Sequence, residues 1–450
     1  MSASLEKLLR DARIDLILSR VENDPEVINE VIKHLNSDIR SVRFNAIYVL
    51  GELGEKSETA ISDLVECLTD SDWSICRETV RTLGKMGNVA EDAVTELTKL
   101  VKNKEVSIRK EVVVALGKIS YTNKDVISAL TTALKDENPE VRTEAAKSLG
   151  KLGSKAQDAL PNLIKTVKDY DWNVRTAAVN ALSGIGKGAI KATPILLRAL
   201  EDKDWRVRKA VISTLSEMGS EIVPALLKYL NHYNLDVIKS VIEVLGEMEV
   251  SDPKVLEVLF EKLHSKKKGI RGRVVNALIS IGKPAIDILI RGLNDKNDKI
   301  RSLSVWALGK MGDDAQQAIP YIIKLLNDSE TKVRTEAARA LGRLGSSDDK
   351  ILDALIQSLK DDKTIVRSES AIALGNIGES TPRITGELIN SLEDGKLEVR
   401  WRAAEALTKI NPNDPRFIPA LKDLLHDKSE LVATIALESL NKLGIGLEDL

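Results

Sequence analysis

Side chains able to do chemistry are few and scattered in this chain of 450 residues. Its histidines, His34, His232, His264 and His426, stand far apart, two of them where the pattern predicts turns between helices. None has a second His or a Cys at metal-ligand spacing. Cys67 and Cys76 lie on the two sides of an expected turn, but two thiols alone make a poor metal site. No signal-peptide pattern stands at Met1-Ser-Ala-Ser-Leu-Glu-Lys and no apolar run is long enough to cross a bilayer, so the expectation is a cytoplasmic protein with reduced thiols and no membrane. Glycines occur singly, which leaves no phosphate-cradling loop. Carboxylates abound in a repeated pattern that singles out no acid and base pair. The residues therefore predict no enzyme, no metal and no cofactor.

Two groups of side chains are suited to binding instead. Lys266, Lys267, Lys268, Arg271 and Arg273 form the one dense basic run. Such a run could contact phosphates, though it is more often a solvated loop, and without interleaved aromatics it lacks a stacking platform for single strands. Trp306, Arg339, Arg343, Trp401 and Arg402 form the second group. Trp and Arg are enriched at binding hot spots because each buries much area while keeping polar contacts. For the tryptophans the alternative is filling gaps between structural layers. Trp73, Trp172 and Trp205 each follow an Asp directly, and that shared setting argues for a common packing role at a turn.

A repeat positions these residues. The stretch from Leu134 to Gly153 reads as a helix end, an acidic turn and a second helix closed by Gly, with Asp136 and Asn138 offering oxygens to the free N–H groups at the helix start. The residue equivalent to Arg142 recurs at Arg43, Cys76, Arg109, Arg175, Arg208, Ile238, Arg271, Arg301, Arg334, Arg367, Arg400 and Ala433, at intervals of 33 residues with two of 30. A Leu stands seven residues after each, from Leu50 to Leu440, often followed by a Gly that either lets helices approach or ends one. Both short intervals arise from loss of three residues between helices, near 219–224 and 282–288, where altered curvature is expected. Residues 1–22 read as an amphipathic capping helix, 23–444 as the repeat array with an irregular centre at about 230–273, and 445–450 as a tail.

The spacing Pro161, Asp169, Arg175, repeated in other units, resembles that of HEAT repeats, and the short Val-Arg-x-x-Ala-x-x-x-Leu-Gly-x-Leu-Gly core resembles the class found in phycobilisome-lyase-type proteins and prokaryotic scaffolds. The resemblance runs through residues 25 to 444. It implies an all-α fold, a right-handed α-α superhelix of about thirteen two-helix repeats, with a ladder in which each Asp and Arg pair links a turn to its neighbour. A helical wheel supports the ladder independently. With the Arg as position zero, positions 3, 4, 6 and 7 are mostly apolar or small, which puts the Arg on the packed side, where it needs an acceptor. Positions 1, 2, 5 and 9, such as Thr143, Glu144, Lys147 and Lys151, form the exposed stripe, which in superhelices of this type lines the concave side. Trp306 and Arg339 occupy position 5 in adjacent units, Arg343 lies one turn on, and Trp401 and Arg402 hold positions 1 and 2.

Composition bounds the rest. Hydrophobic residues make up 43% but aromatics only 3%, so the core must be aliphatic. A net charge of −2 with 30% charged residues argues against a surface tuned throughout to nucleic acid or anionic lipid. The leading expectation is a non-enzymatic scaffold that binds a protein or peptide partner on the concave surface. Family resemblance leaves two alternatives: nucleic-acid binding, as in HEAT-like DNA glycosylases, and an accessory role like that of bilin lyases. The HEAT-like deoxyhypusine hydroxylases carry repeated His-Glu pairs, of which this chain has none.

Overall fold

The computed structural model describes residues 4–345, 347–410, 414, 416–442 and 444–445, apart from the Lys187 side chain. Most of the tail expected at 445–450 thus lies outside the described residues. Among the described residues every regular element is a helix, α or 3-10. The chain forms two compact units, Met1–Val244 and Leu245–Leu450, and the division falls inside the stretch where the repeat pattern is least regular. Each unit is a stack of helix pairs in which the second helices of successive repeats pack directly on one another.

Helix Pro139–Leu152 shows why the sequence folds this way. Asn138 caps it by accepting the Glu140 N–H at 2.8 Å, Pro139 occupies the first turn where no donor is missed, and Gly153 closes it at φ 61°. Asp136 does not bond the helix start as expected. It accepts the Asn138 N–H at 2.9 Å, shaping the turn before the cap. Val141, Ala145, Ala146 and Leu149 are fully buried. The glycine after the repeated leucine acts in helix approach and not in helix ending. A Cβ on Gly150 would lie 2.9 Å from the Ala181 Cα of the next repeat, and one on Gly342 only 2.6 Å from the Ala373 Cα. Where a hydroxyl replaces that alanine it bonds the neighbouring helix, as Ser148 Oγ does to the Val113 carbonyl at 2.7 Å.

The first helices come in two designs that the period conceals. Some follow a seven-residue 3-10 turn, for example Gly153–Ala159 before Leu160–Thr166. Others, such as Lys124–Ala133 and Asp349–Ser358, are ten residues long. At the two short intervals the 3-10 turn shrinks to Ser220–Ile222 and Lys283–Ala285 while the second helices persist. The expected N-terminal capping helix is broken in two, Leu5–Arg10 and Ile14–Asn23, with Ala12 at φ 51° between them. Both pieces pack on helix Arg40–Leu53, where Asn45 Nδ2 donates to the Leu9 carbonyl at 2.7 Å.

Candidate partner-binding surface

The recurring arginines are consumed by structure. Arg142 is buried, and its Nε and Nη2 donate to both oxygens of Asp169 in the next repeat at 2.8 Å each. Its Nη1 donates to the carbonyls of Asp136 and Glu137 in its own turn at 2.8 and 3.0 Å. The same bidentate rung joins Arg109 to Asp136, Arg175 to Asp202, Arg301 to Asp328, Arg334 to Asp361, Arg367 to Asp394 and Arg400 to Asp427. Its electrostatics follow. The Arg400 guanidinium, working against burial, holds the Asp427 carboxyl below the usual range, and for Asp394 the upward push of burial is outweighed by the bond from Arg367. Cys76 takes the arginine's place in one repeat, and the aspartate's place in the following repeat is then Asn103. Ile238 and Ser265 make the same neutral exchange.

Of the residues expected to bind, the structure leaves some free and turns others to structural use. In helix Thr331–Leu344, Arg339 pairs with Glu336 at 2.9 Å and, across to the next repeat, with Glu369 at 2.5 Å, so it faces carboxylates and not Trp306. Trp306, in helix Asp298–Met311, is half-buried, while Arg343 is exposed with no described ion pair. Arg402 lies 3.5 Å over the half-buried Trp401 ring and pairs with Glu405 at 2.9 Å. The basic run is divided between a loop and a helix. Lys266, Lys267 and Lys268 are exposed in a loop, Arg271 Nε folds onto the Leu263 carbonyl at 2.9 Å, and Arg273 sits exposed in helix Ile270–Ile281. His264 bonds Asp295, the carboxylate that Arg271 would meet in a regular rung, at 3.0 Å.

The turn tryptophans depart from the packing role the sequence suggested. Trp73 is 48% and Trp205 61% exposed, because the first residue of the second helix stands at the edge of the stack. Of the three, Trp172 is half-buried. Arg206 of the next repeat stacks 3.4 Å over its ring and is held there by the Asp204 carboxylate at 2.9 and 2.7 Å. That side chain bond, acting against burial, holds Asp204 down at about 2. Trp172 also bounds a cleft of about 420 Å3 between helices Pro139–Leu152 and Trp172–Ile185, whose lining includes Thr143, Lys147 and Lys151. With Thr176, Ala177 and Asn180, positions 1, 2 and 5 of the next repeat, six residues of the expected stripe meet in one depression. The tryptophan completing it lies outside that stripe, three residues before the arginine from which the helical register runs.

The thiols of Cys67 and Cys76 are free and buried. Burial, reinforced by Asp70, Asp63 and Glu66, pushes the Cys67 thiol up to about 11. Among the described residues no cluster of His, Cys, Asp and Glu is arranged to hold a metal, and no single helix is long and apolar enough to cross a membrane.

A family model described as the adaptin N-terminal region matches residues 12–284, more than half of the chain, and a HEAT-repeat model matches residues 286–374 and 352–441. The chain is a HEAT-repeat protein of the adaptin N-terminal-region family. With that family it is a non-enzymatic HEAT solenoid. Solved structures similar to this HEAT protein include the karyopherin Kap121p bound to the extreme C-terminus of the protein phosphatase Cdc14p, at 17% identity and a TM-score of 0.56, covering 99% of this chain and 54% of that one. Kap121p bound to the SUMO protease Ulp1p is similar at 17% identity and a TM-score of 0.55, covering 95% and 53%. Identity this low shows the fold alone, and this HEAT chain spans about half the length of the Kap121p chains it matches. A search of curated protein sequences returned no match.

Proposed function

We propose that this HEAT solenoid is a scaffold whose second helices present their exposed stripe, the concave side in superhelices of this type, to a protein or peptide partner. One observation carries the reading. The charged side chains that recur in every regular repeat are turned into rungs, whereas what the second helices expose changes from repeat to repeat, as a surface specific for one partner requires. Trp401 under Arg402, Trp306 and Arg343 are the anchors proposed in the second unit, with Arg339 serving to fix Glu336 and Glu369 beside them. The two similar Kap121p structures are of chains bound to protein ligands, which supports the reading.

A protein partner fits better than a nucleic acid. Glu111 and Glu144 stand partly exposed at position 2 of the stripe in adjacent repeats, and carboxylates along a groove repel a phosphate backbone. A reducing compartment, cytoplasmic or continuous with it, suits the two free thiols. The test is affinity capture from the native source with the wild-type chain and with a Trp306→Ala, Arg343→Ala, Trp401→Ala, Arg402→Ala variant whose helicity is checked by circular dichroism. A partner captured by the wild type is expected to be lost from the variant. Capture undiminished in the folded variant would remove these residues from the interface.

A further inference from the structure

We infer that the cleft between helices Pro139–Leu152 and Trp172–Ile185 is a docking subsite for a partner segment bearing one large apolar side chain flanked by carboxylates. The inference rests on the partner-binding reading above and names the chemistry of the segment.

The depression follows from residue size. Gly150 brings its helix so close to Ala181 that no side chain stands above their junction, and Ala177 and Ala181 add only methyl groups to the floor. Thr143 and Thr176 flank that floor, but their hydroxyls already donate to the Pro139 and Trp172 carbonyls of their own helices at 2.8 Å each. Their single donors are therefore already used. One end of the cleft is the Trp172 indole, backed by Arg206, which Asp204 fixes from two sides. An aromatic wall immobilised before binding loses little freedom when a ligand arrives. At about 420 Å3 the space lies at the lower end of the roughly 300–1,000 Å3 range of ligand sites, enough for one leucine or aromatic side chain with its adjoining backbone.

The rim sets the charge. Lys151 is exposed without a described carboxylate partner, and Lys147 shares only Glu144, at 2.8 Å. No carboxylate lines the cleft itself. The Asn173 and Asn180 side chains are exposed on the same rim, each able to donate to and accept from a peptide backbone. An apolar floor with two lysines along one helix edge and two amides along the other selects against basic flanks and against a polar central residue. Acidic residues on both sides of one apolar anchor match it.

The test uses the full chain labelled with 5-fluorotryptophan, whose five tryptophans give fluorine resonances assignable from single Trp→Phe variants. Three synthetic nonapeptides are titrated: Asp and Glu flanks around a central Leu, the same flanks around a central Ser, and Lys and Arg flanks around a central Leu. The acidic peptide with Leu is expected to shift the Trp172 resonance saturably and to bind at least ten-fold more tightly than either control. Lys147→Glu with Lys151→Glu, two exposed changes, is expected to weaken it at least ten-fold again. An unmoved Trp172 resonance, or equal binding of the Ser or basic peptide, overturns the subsite. Movement of Trp306 or Trp401 in place of Trp172 also overturns it while leaving the partner-binding reading standing. Loss of that wider reading would show separately, in the capture experiment on the second unit.

Discussion

Replacing Asp169 by Asn keeps the shape of a rung and removes its charge. Asn can still accept the Asp171 N–H that Asp169 Oδ1 now takes at 2.9 Å, but its NH2 group would meet the Arg142 guanidinium donor to donor. Arg142 would remain buried with its two turn carbonyls and with the Tyr170 ring 4.7 Å away, but without a counter-charge. Breaking one partner out of a buried pair costs about 3–5 kcal/mol, and the surviving carbonyl bonds place this case near the lower end, about 3 kcal/mol. Changing Arg142→Met as well removes the stranded charge, and what remains is two partly exposed carbonyls without their donor, about 1 kcal/mol. The double variant should therefore be the more stable of the two by about 2 kcal/mol. The chain's neutral exchanges, Cys76 with Asn103 and Ile238 with Ser265, follow the same logic. Because a repeat array need not unfold in one step, the assay is native-state hydrogen exchange read on helices Pro139–Leu152 and Trp172–Ile185. Two kcal/mol corresponds to roughly a thirty-fold difference in protection. A single Asp169→Asn variant at least as well protected as the double would refute the view that the rung's cost lies in the unpaired charge.

Gly342→Ala should destabilise the second unit even though Ala favours a helix by about 1 kcal/mol over Gly, because its Cβ would stand 2.6 Å from the Ala373 Cα and 2.8 Å from its Cβ. A net loss of about 1–3 kcal/mol is expected, and a raised melting temperature would contradict it. Asp72 is held at about 2 by the Ser74 hydroxyl and Arg40, and Asp427 is lowered by Arg400. A carboxyl depressed in the folded chain binds fewer protons than in the unfolded one, so its contribution is full above the unfolded value near 4 and is lost as pH falls toward 2. Thermal melts from pH 7 to 2.5 should show this component flat to about pH 5 and falling below pH 4, and Asp427→Asn should flatten the fall. Cys67, buried and pushed up to about 11, should react with a thiol reagent at pH 8 far more slowly in the native protein than in denaturant, and equal rates would contradict its burial.

The parts legible in the sequence are those set by the repeat itself. The helical period alone assigns Arg142 to packing, and Leu149 and Ala145 follow from the same count. What escaped depends on contacts between repeats. Arg339 faces Glu369, a residue 30 positions away that no single-helix wheel places beside it. Trp73, Trp172 and Trp205 share a setting but differ in exposure, and only the last residue pair, Asp204 with Arg206 one repeat on, tells Trp172 apart. The break at Ala12 was hidden because the apolar spacing of Leu5 to Val21 runs through it undisturbed. The ten-residue and seven-residue first helices occupy the same period, so counting alone could not separate them.

The rungs give the stack a polarity. In each rung the guanidinium comes from the earlier repeat and the carboxylate from the later one, so the next turn meets an arginine that also holds the carbonyls of its own turn. The two cut ends of such an array are unlike. A chain shortened from its C-terminus after residue 153 finishes on Arg142 with no acid to meet, and one begun at residue 155 opens on Asp169 with no arginine above it. Fragments cut from the regular stretches expose an arginine at one face and an aspartate at the other, charges that complement each other in the register of the intact protein.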